Sequence, residues 1–433
     1  MARNKTYAAL AMGIVLSLSA PPIVMALDET PATELRVTLD RLLSEHAFLT
    51  IQAIHAGVTD NDQFAAAAGA LEANTSELEA AFGGIYGEDG GQRFGDLWRA
   101  HIGYVVDYTR ARQSGDEDGE QAAVDGMAAY QEDFAAFVAG ANPHLSEEAL
   151  HVLLEDHLGQ LQQVANVQAG DYDAVYRTAR DAYHHMFVLG DGLAEAIATQ
   201  FPQTFGGSAF AFGPAVDLRI VLDQLLGEHA FLAAEVMRLA QTSQDAERAA
   251  ADALAANGDS IRIAIEDIYG EAAGRGFADI WEQHNGHYVD YVRAKLSDDA
   301  QGATRARASL EGFTDAVADF FIAATDLPDA EPLRAALAAH TSHLLEQVDA
   351  HHAGDHVASF DIAREAHRHM GAISDVLATG IANQFPGRFL PDTASHPSHG
   401  IPWVSWLALA VVGLLGVLGL LDRRSSGQSG LSA

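Results

Sequence analysis

The amino-acid sequence predicts an all-α protein with two tandem homologous helical bundles and one C-terminal transmembrane helix. Apolar residues recur at spacings of three and four through most of the 433-residue chain, which is the period of an amphipathic helix. A pattern that begins at Leu35 returns at Leu218, 183 positions further on. Near the end of the chain, residues 401–421 carry no charge and are long enough to cross a hydrocarbon core of about 30 Å.

The composition excludes several classes of site and partner. The chain has 60 Asp and Glu residues against 25 Lys and Arg, a net charge of −35. We expect no nucleic-acid partner, because nucleic acids select basic surfaces. The absence of cysteine rules out disulfides, thiolate-bound metals and iron–sulfur clusters. The 20 histidines are therefore the residues whose positions are most informative about function.

Residues 1–26 have the pattern of a signal peptide, which predicts export. Arg3 and Lys5 give the positive start, an apolar stretch follows, and Val24-Met25-Ala26 suits cleavage after Ala26. The alternative is an uncleaved N-terminal anchor.

The C-terminal segment predicts a single-pass membrane anchor with the rest of the protein outside the cell. Trp403 and Trp406 lie at the start of the 401–421 span, where indole rings favour the headgroup region. Two arginines follow the span, and positive charge favours a cytoplasmic location for the tail, residues 422–433. The membrane is thus a predicted partner through this helix.

The stalk before the span, residues 389–400, contains Leu390-Pro391-Asp392-Thr393-Ala394. The order of this motif, an apolar span and a basic tail resembles a sortase cell-wall sorting signal of Gram-positive bacteria. The resemblance implies that Thr393 is the residue joined to peptidoglycan, although Ala394 departs from the more common glycine. The alternative is a plain membrane anchor without attachment to the wall.

The internal repeat divides the exported part into repeat 1, residues 31–204, and repeat 2, residues 218–388. A glycine-rich linker, residues 205–217, joins them. Ser146 and Asp171 are the capping residues that we expect to open the fifth and sixth helices of repeat 1. In repeat 1 the predicted helices cover residues 31–57, 61–84, 90–113, 117–140, 146–168 and 172–199.

Four histidines occur at matching positions in both repeats. In repeat 1 each lies on a different predicted helix, on its apolar face and near its middle, where antiparallel helices of similar length share one level. We therefore expect four imidazoles to converge inside each bundle. The matching pairs are His46/His229, His101/His284, His157/His340 and His185/His369.

A metal ion would satisfy all four rings at once. A buried polar group without a partner costs about 1–3 kcal/mol, and neutral imidazole suits Zn, Cu, Fe or Ni. The sequence thus predicts a four-histidine site for a transition-metal ion in each repeat. The alternative is a metal-free network of histidines, carboxylates and tyrosines. The candidates for orienting the rings or adding an oxygen ligand are the repeated carboxylates Glu45/Glu228 and Asp181/Glu365.

These predictions favour a surface-anchored protein that binds metal for uptake, buffering or storage. One alternative is a metal-dependent redox or hydrolytic enzyme, with Asp181 or Glu365 as its base, and another is a structural or adhesive spacer. The repeated Glu-His, Trp-x-x-His, His-Met and Gln-Phe-Pro elements look like those of a family of exported bacterial helical-bundle proteins without assigned activity. That resemblance implies the fold alone. Histidines without a counterpart, such as His55 and His367, are expected at the surface.

Overall fold

The computed structural model describes residues 30–59, 61–166, 171–240, 244–325, 327 and 330–389. All regular elements in these ranges are helices, which confirms the all-α class. None of the helices in these ranges combines the length and apolar character that a membrane crossing requires. The predicted signal peptide 1–26, the sorting motif with Thr393, and the span 401–421 lie outside the described residues.

Repeat 1 contains six long helices, and their ends differ from the predicted ends by no more than two residues. The helices are α1 (Pro31–Thr59), α2 (Asn61–Tyr86), α3 (Glu88–Ser114), α4 (Glu117–Ala141), α5 (Glu147–Asn166) and α6 (Tyr172–Gln200).

The predicted linker is partly helical. It begins within the short helix α7 (Pro202–Phe205), includes a 3₁₀ turn (Ser208–Phe210), and ends inside α8, because that helix already starts at Pro214. Repeat 2 consists of α8 (Pro214–Leu239), α9 (Gln244–Tyr269), α10 (Glu271–Leu296), α11 (Ala300–Thr325), α12 (Glu331–His352), α13 (His356–Gln384) and the short α14 (Pro386–Phe389).

Local chemistry sets where the helices begin. The Ser146 hydroxyl accepts a hydrogen bond from the Ala149 N–H, and the Asp171 carboxylate accepts one from the Ala174 N–H, so both predicted caps are confirmed. Between the second and third helices of each repeat, Gly87 has a φ angle of 89°. Its counterpart in repeat 2 has a φ of 88°. This left-handed turn reverses the chain and needs glycine because a Cβ atom would be strained there.

Helices α1 and α8 form the centre of the molecule. Each packs against the second and the last long helix of its own repeat, and the two also contact each other. The repeats cross over, since α13 packs on α2 and α6 packs on α9. Consequently α8 is buried along nearly its whole length. One apolar cluster runs through both repeats, where the equivalent residues Phe48 and Phe231 have ring centroids 5.4 Å apart.

Buried ion pairs join the repeats reciprocally. The Arg364 Nε in α13 donates to the Glu45 carboxylate at 3.0 Å, and the equivalent Arg180 in α6 donates to Glu228 at 2.8 Å. Both glutamates are buried. Each arginine therefore neutralises a carboxylate of the other repeat, which ties the two bundles in one relative orientation.

One equivalent pair of buried aspartates breaks this symmetry. Asp223 is paired with Arg41, whose Nε lies 3.0 Å from its carboxylate. The position equivalent to Arg41 in repeat 2 is Gln224, so Asp40 has no such arginine, and neither of its carboxylate oxygens has a hydrogen-bond partner in the described structure. Burial and the nearby charge of Asp191 raise the pKa of Asp40 well above its usual range.

Candidate metal centre

Three of the four repeated histidines meet in the core of repeat 1. His46 from α1, His101 from α3 and His157 from α5 each offer a ring nitrogen, and these nitrogens all lie within 4.8 Å of one another. The Nε2 atoms of His46 and His101 are 3.2 Å apart. All three side chains are at most 2% exposed. We call this group triad 1.

The same arrangement recurs in repeat 2. His229 from α8, His284 from α10 and His340 from α12 form triad 2, with their nitrogens again within 4.8 Å of one another. Two nitrogens bound to one zinc ion at 2.0–2.1 Å in a tetrahedral arrangement are about 3.3 Å apart. The most distant pair of either triad therefore has to move closer by up to about 1.5 Å to close around an ion. Each triad could hold a metal ion.

The fourth repeated histidine lies outside each group of converging nitrogens, although the His185 ring stacks beside that of His157 with centroids 6.4 Å apart. The His185 Nε2 donates to the carbonyl oxygen of Leu153 at 2.8 Å, and Leu153 precedes His157 by four residues in α5. In repeat 2 the His369 Nε2 donates in the same way to Ala336 at 2.7 Å. Both rings are half-buried and use Nε2 for this backbone bond, so the converging nitrogens of each bundle come from three histidines.

The repeated carboxylates do not surround the triads. Glu45 and Glu228 are buried, and both pair with the arginines that cross between the repeats. Asp181 is exposed, as is Glu365, which lies 3.6 Å from Arg368. None of the four belongs to either group of converging ligand atoms, so each triad is a set of three nitrogen donors.

A hydrogen bond from Trp98 distinguishes triad 1. The indole Nε1–H donates to the Nδ1 atom of His46 at 3.2 Å. A neutral imidazole has one N–H, so His46 then carries its proton on Nε2 and donates it to the Nε2 of His101. Triad 1 thus satisfies part of its hydrogen-bonding capacity without a metal.

Triad 2 lacks this arrangement. Both ring nitrogens of His229, His284 and His340 are buried and have no hydrogen-bond partner within the described ranges. The Nε1 of Trp281, the counterpart of Trp98, is likewise without an acceptor there, although the ring centroids of Trp281 and His229 are 4.8 Å apart. Most buried polar atoms in proteins have a hydrogen-bond partner. The six ring nitrogens and one indole nitrogen without a partner in repeat 2 are therefore the feature of the described structure that most directly indicates a ligand site.

Burial keeps the triad rings neutral. It lowers the pKa of His101 to about 3 and that of His229 to about 4. Burial also lowers the pKa of the other four triad histidines, His46, His157, His284 and His340, and repulsion from neighbouring imidazoles adds to the shift. A metal-binding imidazole must be unprotonated at the bonding nitrogen, and all six rings meet that condition at neutral pH.

Two residues that we expected at the surface lie between the repeats instead. His367 is buried and forms a 3.0 Å hydrogen bond with the hydroxyl of Tyr183, the residue at the equivalent position of repeat 1. The His55 Nδ1 lies 2.7 Å from the buried carboxylate of Glu235. The equivalent positions hold Tyr in one repeat and His in the other. This pairing is the sequence signal for a contact between the repeats.

No protein-family model, no curated protein and no solved structure matches the chain. The geometry of each site itself offers three convergent neutral imidazoles in a buried core.

Proposed function

We propose that each repeat binds one transition-metal ion through its histidine triad and that the protein takes up, buffers or stores that metal outside the cell. The observation that carries the proposal is the set of six buried, unpartnered ring nitrogens in triad 2. Three imidazole nitrogens without thiolate or carboxylate suit Zn, Cu, Fe or Ni. They leave one position of a tetrahedral ion open.

Burial favours holding the metal over turning over a substrate. The hydrolytic alternative requires a general base near the ion. Among the described residues, Glu45 and Glu228 are committed to arginines, and Asp181 and Glu365 are exposed. The location outside the cell is supported by the sequence patterns of residues 1–26 and 401–421, with Thr393 as the proposed point of attachment to the wall.

Metal content of the full-length protein in mild detergent tests the proposal. After loading with Zn, Cu, Ni or Fe(II) and removal of free metal, we expect two equivalents per chain for one of these ions, one for each triad. His101→Phe removes a donor from triad 1 and keeps a ring against Tyr130, and His284→Phe does the same in triad 2 against Phe313. Each variant should lose one equivalent, and the double variant should lose both.

The exposed His144 provides the control, since His144→Phe should keep both equivalents. Less than about a tenth of an equivalent in the native protein would overturn the proposal in favour of a metal-free core or a spacer. Full metal content in a folded double variant would overturn the assignment to the triads.

A further inference from the structure

An apolar cavity borders triad 2. It has a volume of about 50 Å³, and His340 and Trp281 form part of its wall. Most of the remaining lining is aliphatic or phenyl, and includes Ile265, Val317 and Leu377. A buried water needs two to four polar partners, so a cavity with this lining favours an apolar occupant over water.

Two differences between the repeats explain why the cavity is in repeat 2. The positions of Ile265 and Val317 hold Phe82 and Phe134 in repeat 1. Phe82 stacks on Phe94 at 3.9 Å between centroids, and Phe134 lies 5.7 Å from Trp98. Two rings therefore fill in repeat 1 the space that aliphatic side chains leave open in repeat 2.

At one position the larger side chain is in repeat 2 instead, but it does not close the cavity. Val138 of repeat 1 is replaced by Phe321, which is itself part of the cavity wall. Repeat 1 has a cavity of about 10 Å³, lined by residues such as Phe82, Tyr86 and Leu193, and no histidine borders it. The larger space thus borders the triad in which all six ring nitrogens lack a partner in the described structure, against three of six in triad 1.

We infer that this cavity is a binding site for a small apolar molecule of the size of a diatomic gas, and that it delivers this molecule to triad 2. The volume is about a third of the roughly 150 Å³ of an engineered apolar cavity that takes benzene, so a molecule of two or three heavy atoms fits. Delivery to a bound metal rests on the proposed function, because three histidines leave an open position on the ion. Occupation of the cavity does not depend on the metal.

Xenon is the probe, and the experiment uses the full-length chain after treatment with a chelator. We expect saturable xenon binding in ¹²⁹Xe NMR. In ¹⁵N NMR, xenon should shift the side-chain nitrogen signals of His340 and leave those of His157, its counterpart in repeat 1, unchanged. Val317→Phe and Ile265→Phe each introduce the ring present in repeat 1, and each should weaken binding by about tenfold or more. Phe134→Val, the matched change in repeat 1, should create a second xenon site.

Circular dichroism melting shows which variants are folded, and either filling variant suffices if the other does not fold. The inference is overturned if the native protein binds no xenon, or if xenon binds equally well to a folded filling variant. Since the protein is metal-free, these outcomes are independent of metal content. A chain that binds xenon at His340 but no metal would refute the proposed function and delivery to a metal, and it would leave the cavity as a binding site for an apolar molecule.

Discussion

The hydrogen bond from Trp98 to His46 predicts that the two proposed metal sites differ in affinity. If His46 binds an ion through Nε2, its proton has to move to Nδ1 and face the indole N–H. If it binds through Nδ1, the indole occupies the position of the metal. Either way the 3.2 Å bond is lost and a buried N–H is left without an acceptor. Triad 2 has no such bond to break, because the Nε1 of Trp281 already has no acceptor in the described structure.

The size of the difference follows from the cost of that orphaned N–H. A buried donor left unsatisfied costs about 1–3 kcal/mol, which is about 5- to 150-fold in a dissociation constant. Triad 2 should bind the same metal more tightly than triad 1 by a factor in this range. Trp98→Phe removes the donor and should tighten triad 1 by a similar factor. The matched change Trp281→Phe should give no corresponding gain in triad 2.

Competition with a chelator of known affinity measures each site separately. His284→Phe silences triad 2 while triad 1 is titrated, and His101→Phe silences triad 1 for the reverse measurement. The comparison of the two tryptophan variants cancels the loss of indole packing, which both share. Equal changes of affinity in the two variants, or a native triad 1 that binds more tightly than triad 2, would refute the reasoning.

Three further predictions concern stability. Asp40→Asn should stabilise the protein by about 1–3 kcal/mol in urea unfolding at pH 7, because the raised pKa of Asp40 costs stability as the pH rises above about 4. The gain should vanish near pH 4, and it should exceed that of Asp223→Asn, because burial raises the pKa of Asp223 as well but its carboxylate is paired with Arg41. Burial alone would raise the pKa of Glu235, but the charges of Arg238 and His55 outweigh it and lower the pKa to about 2. Its stabilising effect is therefore complete above about pH 4.5 and lost between pH 4.5 and 2, and Glu235→Gln should cost about 3–5 kcal/mol at pH 7 and flatten the acid part of the curve. Chelation should lower the melting temperature of the metal-loaded protein, since a ligand at 100 times its Kd adds about 2.7 kcal/mol, and a double variant that binds no metal should show no such shift.

The helices of this protein could be predicted from the sequence because the signals that set them are local. Apolar spacing, the caps at Ser146 and Asp171, and the glycine turn at Gly87 each act within a few residues, and the predicted helix ends lie within two residues of the observed ones. The burial of α8 on nearly all sides depends on the other repeat, and a pattern within one helix does not carry that information.

The height of each histidine along the bundle and the helix face that it occupies predict only part of the histidine site. Helix midpoints predict a shared level only for helices of equal length in register, and α6 is 29 residues long whereas α5 has 20. His185 lies beside His157, with ring centroids 6.4 Å apart, but its Nε2 donates to the Leu153 carbonyl and does not converge with the triad. The ion pair of Glu45 could not be predicted from the sequence either, because its partner Arg364 lies 319 positions away in the chain.

Two independent differences between the repeats point in the same direction. In repeat 1 an indole hydrogen bond engages His46, and Phe134 fills the space beside Trp98. In repeat 2 the equivalent indole has no acceptor within the described ranges, and Val317 borders an open apolar cavity that reaches His340. A hydrogen bond and a filled core both favour a metal-free triad, whereas orphaned nitrogens and an adjacent void both favour a triad that takes a ligand. The equivalent histidines therefore have a more closed environment in repeat 1 and a more open one in repeat 2, and this makes repeat 2 the first place to look for a bound ligand.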